Sequence, residues 1–125
     1  MAGEKVAIIG ASNNRSKYGN KAVRAYRDDG DIVFPVHLRE TEIEGLQAYR
    51  SVLDIPDTLD RISIYLPPGI GLQVIEEVAK KGADQVFLNP GAESPELLEK
   101  ARELGVPVIV ACSIVDIGKS PGQYQ

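Results

Sequence analysis

Residues 5–19, KVAIIGASNNRSKYG, join an apolar run to a polar loop bracketed by two glycines. The apolar run from Lys5 to Ile9 is what a parallel strand covered on both faces requires, so the stretch predicts a buried strand ending at Gly10. A helix is expected to start near Gly19 or Asn20, with Ala22, Val23, Ala25 and Tyr26 on its covered face and Asp28, Asp29 and Gly30 at its end. Strand, loop and helix in this order make the loop a candidate anion site, because free amides at a helix start attract negative charge. Eight residues separate Gly10 from Gly19, a spacing that fits neither G-x-G-x-x-G nor the G-x-x-x-x-G-K loop of nucleotide phosphatases. Ser12, Asn13, Arg15, Ser16 and Lys17 supply the polar groups between them; a solvated loop with glycine punctuation is the plainer alternative.

The same alternation continues along the chain. Ile32, Val33, Phe34 and Val36 suggest a second strand with Pro35 near its end. Residues 37–60 are the least regular part, expected as a crossover with short helical turns. RISIYL at 61–66 reads as a third strand ended by Pro67 and Pro68. Ile70, Val74, Ile75 and Val78 then recur at helical spacing over 70–81, with Gly82 as the stop. DQVFLN and VPVIVAC give a fourth and a fifth strand. The helix between them enters at Ser94 and Pro95, covers Leu97, Leu98, Ala101 and Leu104, and ends at Gly105. Strands alternating with helices predict a parallel α/β sheet, and GKSPGQYQ at the end reads as a loose tail. At 125 residues the chain is expected to form a single domain, 1–125, with its folded core over roughly 4–118.

Composition narrows the function. A formal net charge of −4 gives no overall attraction to nucleic acid or to an anionic membrane, so local basic groups must do any phosphate binding. The sequence shows no leader and no apolar run of membrane-spanning length, which predicts a cytoplasmic protein. One cysteine, Cys112, and one histidine, His37, leave no intrachain disulfide and no dense Cys/His zinc arrangement. Cys112 follows an apolar strand and is expected to be a small buried side chain.

In an open α/β sheet the ligand crevice lies at the carboxyl ends of the strands, where strand order reverses. The loops after Ile9, Val36, Leu66 and Leu88 are therefore the places to look. A conventional NAD site puts an acidic residue at the end of strand two; here FPVHLRE places His37 and Arg39 there, ahead of Glu40. Arg39 suits an additional ribose phosphate, so NADP and coenzyme A are both chemically reasonable ligands. His37 is expected in a loop hydrogen bond or against a base, not as a catalyst. Leu66 and Pro67 are expected to shape one wall. Gly91 and the amides near Ser94 are further candidates for an anionic group, and Glu93 is an acid or base only if it meets a reactive partner.

Four segments, VAIIGAS…KYG, FPVHLR…IEGLQAYRSVLDIPDTLD, YLPPG and ARELGVPVIVACSI, occur in an order and spacing that resemble the small coenzyme A-binding protein family. They are also similar to the N-terminal coenzyme A-binding domain of succinyl-CoA synthetase alpha subunits and of nucleoside-diphosphate-forming acyl-CoA synthetases. The resemblance covers roughly Glu4 to Gly118. It implies a Rossmann-like three-layer domain with a mostly parallel five-stranded sheet. Its pyrophosphate loop falls on Gly10, Ala11, Ser12, Lys17, Tyr18 and Gly19, its second strand end on Val36, His37 and Arg39, and its third-strand ledge on Leu66, Pro67 and Pro68. His37 and Leu38 stand where asparagine and proline are common in the family, a departure that bears on base and ribose contacts.

The larger synthetases use a phosphohistidine in another domain, a role His37 does not inherit by position. The resemblance thus implies coenzyme A or acyl-CoA binding as a stand-alone binding, sensing or carrier function without complete synthetase machinery. The partner is left open between a second copy, giving a homo-oligomer, and a separate catalytic protein. An NADP-dependent oxidoreductase is the enzyme alternative, and a protein-interaction scaffold with weak ligand binding is the third.

Overall fold

The computed structural model describes residues 3–125. Five strands form the main sheet: β1 (Lys5–Ile9), β2 (Ile32–Val36), β5 (Arg61–Ile64), β6 (Gln85–Leu88) and β7 (Val108–Val110). They run parallel in the order β2-β1-β5-β6-β7, with Ala7 of the interior strand β1 between Phe34 and Ile62. The expected Rossmann-like α/β architecture is present. Successive β1 side chains face opposite sides, and both sides are covered. Val6 and Ile8 pack with Ala22, Val23 and Tyr26 of α1 (Tyr18–Asp28) and Ile114 of α4 (Ser113–Asp116). Ala7 and Ile9 belong to the other layer, with Ile75 and Val78 of α2 (Pro68–Lys81) and Leu97 and Ala101 of α3 (Pro95–Glu103).

Several local expectations change. The 37–60 segment contains, besides a single 3-10 turn at Val52–Asp54, an antiparallel hairpin of β3 (Glu42–Ile43) and β4 (Leu46–Gln47). Its two turn residues, Glu44 at φ 52° and Gly45 at φ 77°, have the positive angles that match a tight turn to strand twist. Two-residue strands are too short to show alternation in sequence. The third strand stops at Ile64 and α2 begins at Pro68, two residues before the expected start, because a proline in the first turn gives up only a donor that the helix leaves unpaired there. At the sheet edge, Ile109 and Val110 are exposed although their run is apolar, since β7 has a neighbour on one side only. Leu104, expected on the inner face of α3, is 40% exposed as its C-cap residue.

The tail is not loose. Ser120 caps a 3-10 turn over Pro121–Tyr124 in a reciprocal capping box, and Tyr124 is buried against α1. Its hydroxyl donates to Asp28 Oδ2 at 3.0 Å, and Arg24 Nη2 donates to its carbonyl oxygen at 2.9 Å. One aromatic among turn-forming residues carries this docking, which is why local composition misses it. Among the described residues, no helix is long and apolar enough to cross a membrane.

Tyr124→Ala is expected to lower unfolding free energy by about 3 kcal/mol in urea titration, since it removes a buried ring and the hydrogen bond to Asp28. A loss below about 0.5 kcal/mol would show that the tail contributes no more than an ordinary surface segment.

Candidate functional site

The loop after β1 is built on backbone contacts that exclude side chains. Gly10 has φ +90°, and a Cβ there would lie 2.3 Å from the Tyr65 carbonyl oxygen; a Cβ on Gly19 would lie 2.0 Å from the Gly10 carbonyl oxygen. The end of β1, the start of α1 and the end of β5 therefore meet at van der Waals distance. They meet at the reversal of strand order between β1 and β5, where open α/β sheets hold ligands.

Buried polar groups hold this loop from beneath. Asn20, fully buried, donates through Nδ2 to the Ser12 carbonyl oxygen at 2.8 Å and to Glu44 Oε2 at 3.1 Å, and its Oδ1 accepts from Arg24 Nε at 2.8 Å. Arg24 Nη2 donates to the Arg15 carbonyl oxygen at 2.8 Å. From outside, the β3–β4 hairpin clasps the loop through Glu44, whose Oε2 lies 3.3 Å from Arg15 Nε. The hydrogen bond from Asn20, with the nearby arginine charges, holds the Glu44 carboxyl below its ordinary range. Arg15 is thus committed to the hairpin and does not line the cleft described next.

That cleft has a volume of about 1040 Å³. The twelve residues that the family resemblance implies as ligand contacts line it, whereas Asn13, Arg15 and Ser94, also candidates, do not. Gly10, Ala11, Ser12, Lys17, Tyr18 and Gly19 form its floor, Val36, His37 and Arg39 one wall, and Leu66, Pro67 and Pro68 the opposite ledge. Lys17 is the N-cap of α1 and makes no side-chain capping bond, so the first amides of that helix are left for a ligand. The start of α2 offers fewer donors, because Pro67 and Pro68 carry no N–H and the Ile70 and Gly71 amides donate to the Pro67 carbonyl. His37 builds its own loop: Nδ1 accepts from the backbone N–H groups of Arg39 and Glu40, each at 3.0 Å.

Sequence reasoning missed the far end of the cleft. Tyr49 N–H donates to the Pro35 carbonyl and His37 N–H to the Tyr49 carbonyl, each at 2.9 Å. Residues 49–52 therefore run along the outside of β2 and bring Arg50, Ser51 and Val52 into the lining. Only long-range pairing places them there. Ile70, Gln73, Val74 and Glu77 also line it; Val74, at the helical spacing read from the sequence, packs against the core as well as bordering the cleft, while Ile70 is exposed beside it.

At the β6 end, Asn89 is buried and fully engaged. Its Nδ2 donates to Ser63 Oγ at 2.8 Å and to the Ile64 carbonyl at 2.9 Å, and its Oδ1 accepts from Ser113 N–H at 2.9 Å. Ser63 and Ser113 share a 2.6 Å hydroxyl contact, and the Tyr65 hydroxyl lies 3.2 Å from Ser113 Oγ; burial pushes the Tyr65 phenol up. This network fixes the Asn89–Ala92 edge of the cleft. Glu93 Oε1 accepts from Gly91 N–H at 2.9 Å, so it shapes the loop, and it lies outside the cleft lining. Ser94 caps α3 through Leu97 N–H outside the lining, and Cys112 is half-buried at the start of α4, also outside it.

Residues 4–118 match the CoA binding domain family, and the chain belongs to it. It is 32% identical over 115 residues to the alpha subunit of ADP-forming acetate–CoA ligase II from Pyrococcus furiosus, a match that covers 83% of this chain and 25% of that subunit. The chain thus spans about a quarter of the length of that curated relative. A conserved hypothetical protein from Pyrococcus furiosus superposes with a TM-score of 0.84 at 38% identity, covering 90% of this chain and 98% of the other. The dinucleotide-forming acetyl-coenzyme A synthetase 1 of Ca. Korarchaeum cryptofilum, in complex with phosphate and ADP, superposes at 0.75 and 28% identity, covering 88% of this chain and 26% of that one. The protein is a CoA-binding domain homologous to subunits of acyl-CoA synthetases.

Gly19→Ala is expected to cost at least about 2 kcal/mol, because the Gly10–Ala11 backbone blocks the new methyl group. Gly69→Ala, where nothing lies within 4 Å of the added carbon, is expected to be neutral or slightly stabilising. Thermal unfolding of the two variants side by side checks this; equal midpoints would contradict it.

Proposed function

We propose that the protein binds coenzyme A or an acyl-CoA as a cytoplasmic binding, sensing or carrier domain, and does not carry out acyl-CoA synthesis by itself. The observation that carries the reading is the coincidence of the uncapped α1 N-terminus with Lys17, Arg39 and Arg50 in one cleft at the strand-order reversal. The amides at the start of α1 meet the pyrophosphate, and Lys17 adds a point charge beside it. Arg39, on the β2 wall, meets the phosphate on the ribose. Leu66, Pro67 and Ile70 give the apolar contact that a pantetheine arm or acyl chain needs.

Neither His37 nor Cys112 is placed for catalysis: His37 Nδ1 is committed to its loop, and Cys112 lies outside the cleft. Chemistry on a bound acyl-CoA then falls to a partner, and the likeness to a named alpha subunit supports a separate catalytic protein in that role. NADP is the competing ligand, because Arg39 would meet its ribose phosphate as well.

Calorimetry with coenzyme A, dephospho-coenzyme A and NADP tests the reading. Coenzyme A is expected to bind tightest, with a loss of roughly tenfold when the ribose phosphate is removed, the scale of one charge-assisted hydrogen bond. Arg39→Met should erase that difference. Tighter binding of NADP than of coenzyme A would favour the oxidoreductase, and equal affinity for the first two ligands would remove Arg39 from phosphate recognition.

A further inference from the structure

We propose that Glu77 selects the base of the bound nucleotide by accepting a hydrogen bond from the exocyclic amino group of adenine. The inference rests on the coenzyme A reading of the cleft and assigns a specificity role within it. Ile70, Gln73, Val74 and Glu77 follow one another at i, i+3, i+4 and i+7 on α2 and line the cleft, whereas Ile75 and Val78 of the same helix fill the core. At 1.5 Å rise per residue, Glu77 lies about 10 Å along the helix from Ile70. It therefore stands well along the cleft from the start of α2.

Glu77 is the only carboxylate lining the cleft among the described residues, and it is held in place. The Ser51 hydroxyl donates to Glu77 Oε1 and accepts from Leu53 N–H at 3.1 Å, so its one proton is assigned to the carboxylate. Among the described residues no cation pairs with Glu77. A carboxylate in a site for a polyanion repels phosphate, so the part of the ligand facing it must be neutral and a donor. Adenine answers both demands: its amino group donates at the edge, and its faces are apolar enough to pack on Val52 and Val74, which line the same end. Hypoxanthine has a carbonyl oxygen at that position and would set acceptor against acceptor. A site built around a donor rejects an analogue that lacks it, because the protein's polar group is left unpaired.

The test is calorimetry with coenzyme A and its hypoxanthine analogue, on the unmodified protein and on Glu77→Gln. Because both ligands are measured on each protein, a general loss of folding scales both affinities and leaves their ratio unchanged. The unmodified protein is expected to prefer coenzyme A by roughly tenfold or more. Glu77→Gln, whose amide donates to a carbonyl as readily as it accepts from an amine, should collapse or invert that preference. Equal binding of the two ligands by the unmodified protein, or a preference unaltered by Glu77→Gln, would overturn the role of Glu77 while leaving coenzyme A as the ligand. No binding of either ligand would overturn the coenzyme A reading and this inference with it.

Discussion

The approach of Gly19 to the Gly10 carbonyl, with Gly10 itself against Tyr65, is the constraint on which the site depends. Three elements distant in sequence can touch there only because two positions carry no side chain. The contact sets where α1 begins and turns its first amides toward the end of β1. The loop between the two glycines can then be long, because its geometry comes from its anchored ends and from Asn20 beneath it, not from a repeated glycine pattern. An eight-residue interval is consequently compatible with a phosphate-binding loop, and the polar residues within it take separate duties. Ser12 and Lys17 face the cleft while Arg15 is paired with the hairpin.

Charge in this protein is organised locally. The chain is acidic overall, at −4, yet the cleft lining gathers Lys17, Arg39 and Arg50, with the uncapped start of α1 at Lys17. In a concave, partly apolar surface these fixed charges and amide dipoles act more strongly than the net charge does. Acidic groups nearby are accounted for by structure: Glu44 clasps the loop from outside and Glu93 closes a turn. Among the described residues Glu77 alone enters the cleft as a carboxylate, well along α2 from the start of that helix, which suits a ligand with anionic and neutral parts.

The sheet and the glycine-bounded loop were legible in the sequence because each depends on a local pattern. Val6 to Ile9 is continuously apolar as an interior parallel strand must be, and Gly10 and Gly19 sit where the chain turns and where the helix starts. The second strand end was readable for the same reason, through His37 and Arg39. Arg50, Ser51 and Glu77 were not, since they reach the cleft through the pairing of Tyr49 with β2 and through a face of α2 that looks like core. Periodicity identified the α2 helix but could not distinguish Val78, which is buried in the core, from Ile70, which borders a cavity. The docked tail escaped for a related reason: Tyr124 is one apolar residue, and its partners Arg24 and Asp28 lie almost the whole chain away.

The central claim is that a coenzyme A phosphate group sits on the amides at the start of α1, between Gly10 and Gly19. Backbone amide NMR during a coenzyme A titration tests it most directly. The account predicts saturable shifts at Gly10, Tyr18 and Gly19, with Ile109 and Val110 on the far edge of the sheet unmoved. Saturable binding that leaves the Gly10, Tyr18 and Gly19 amides unchanged would contradict it.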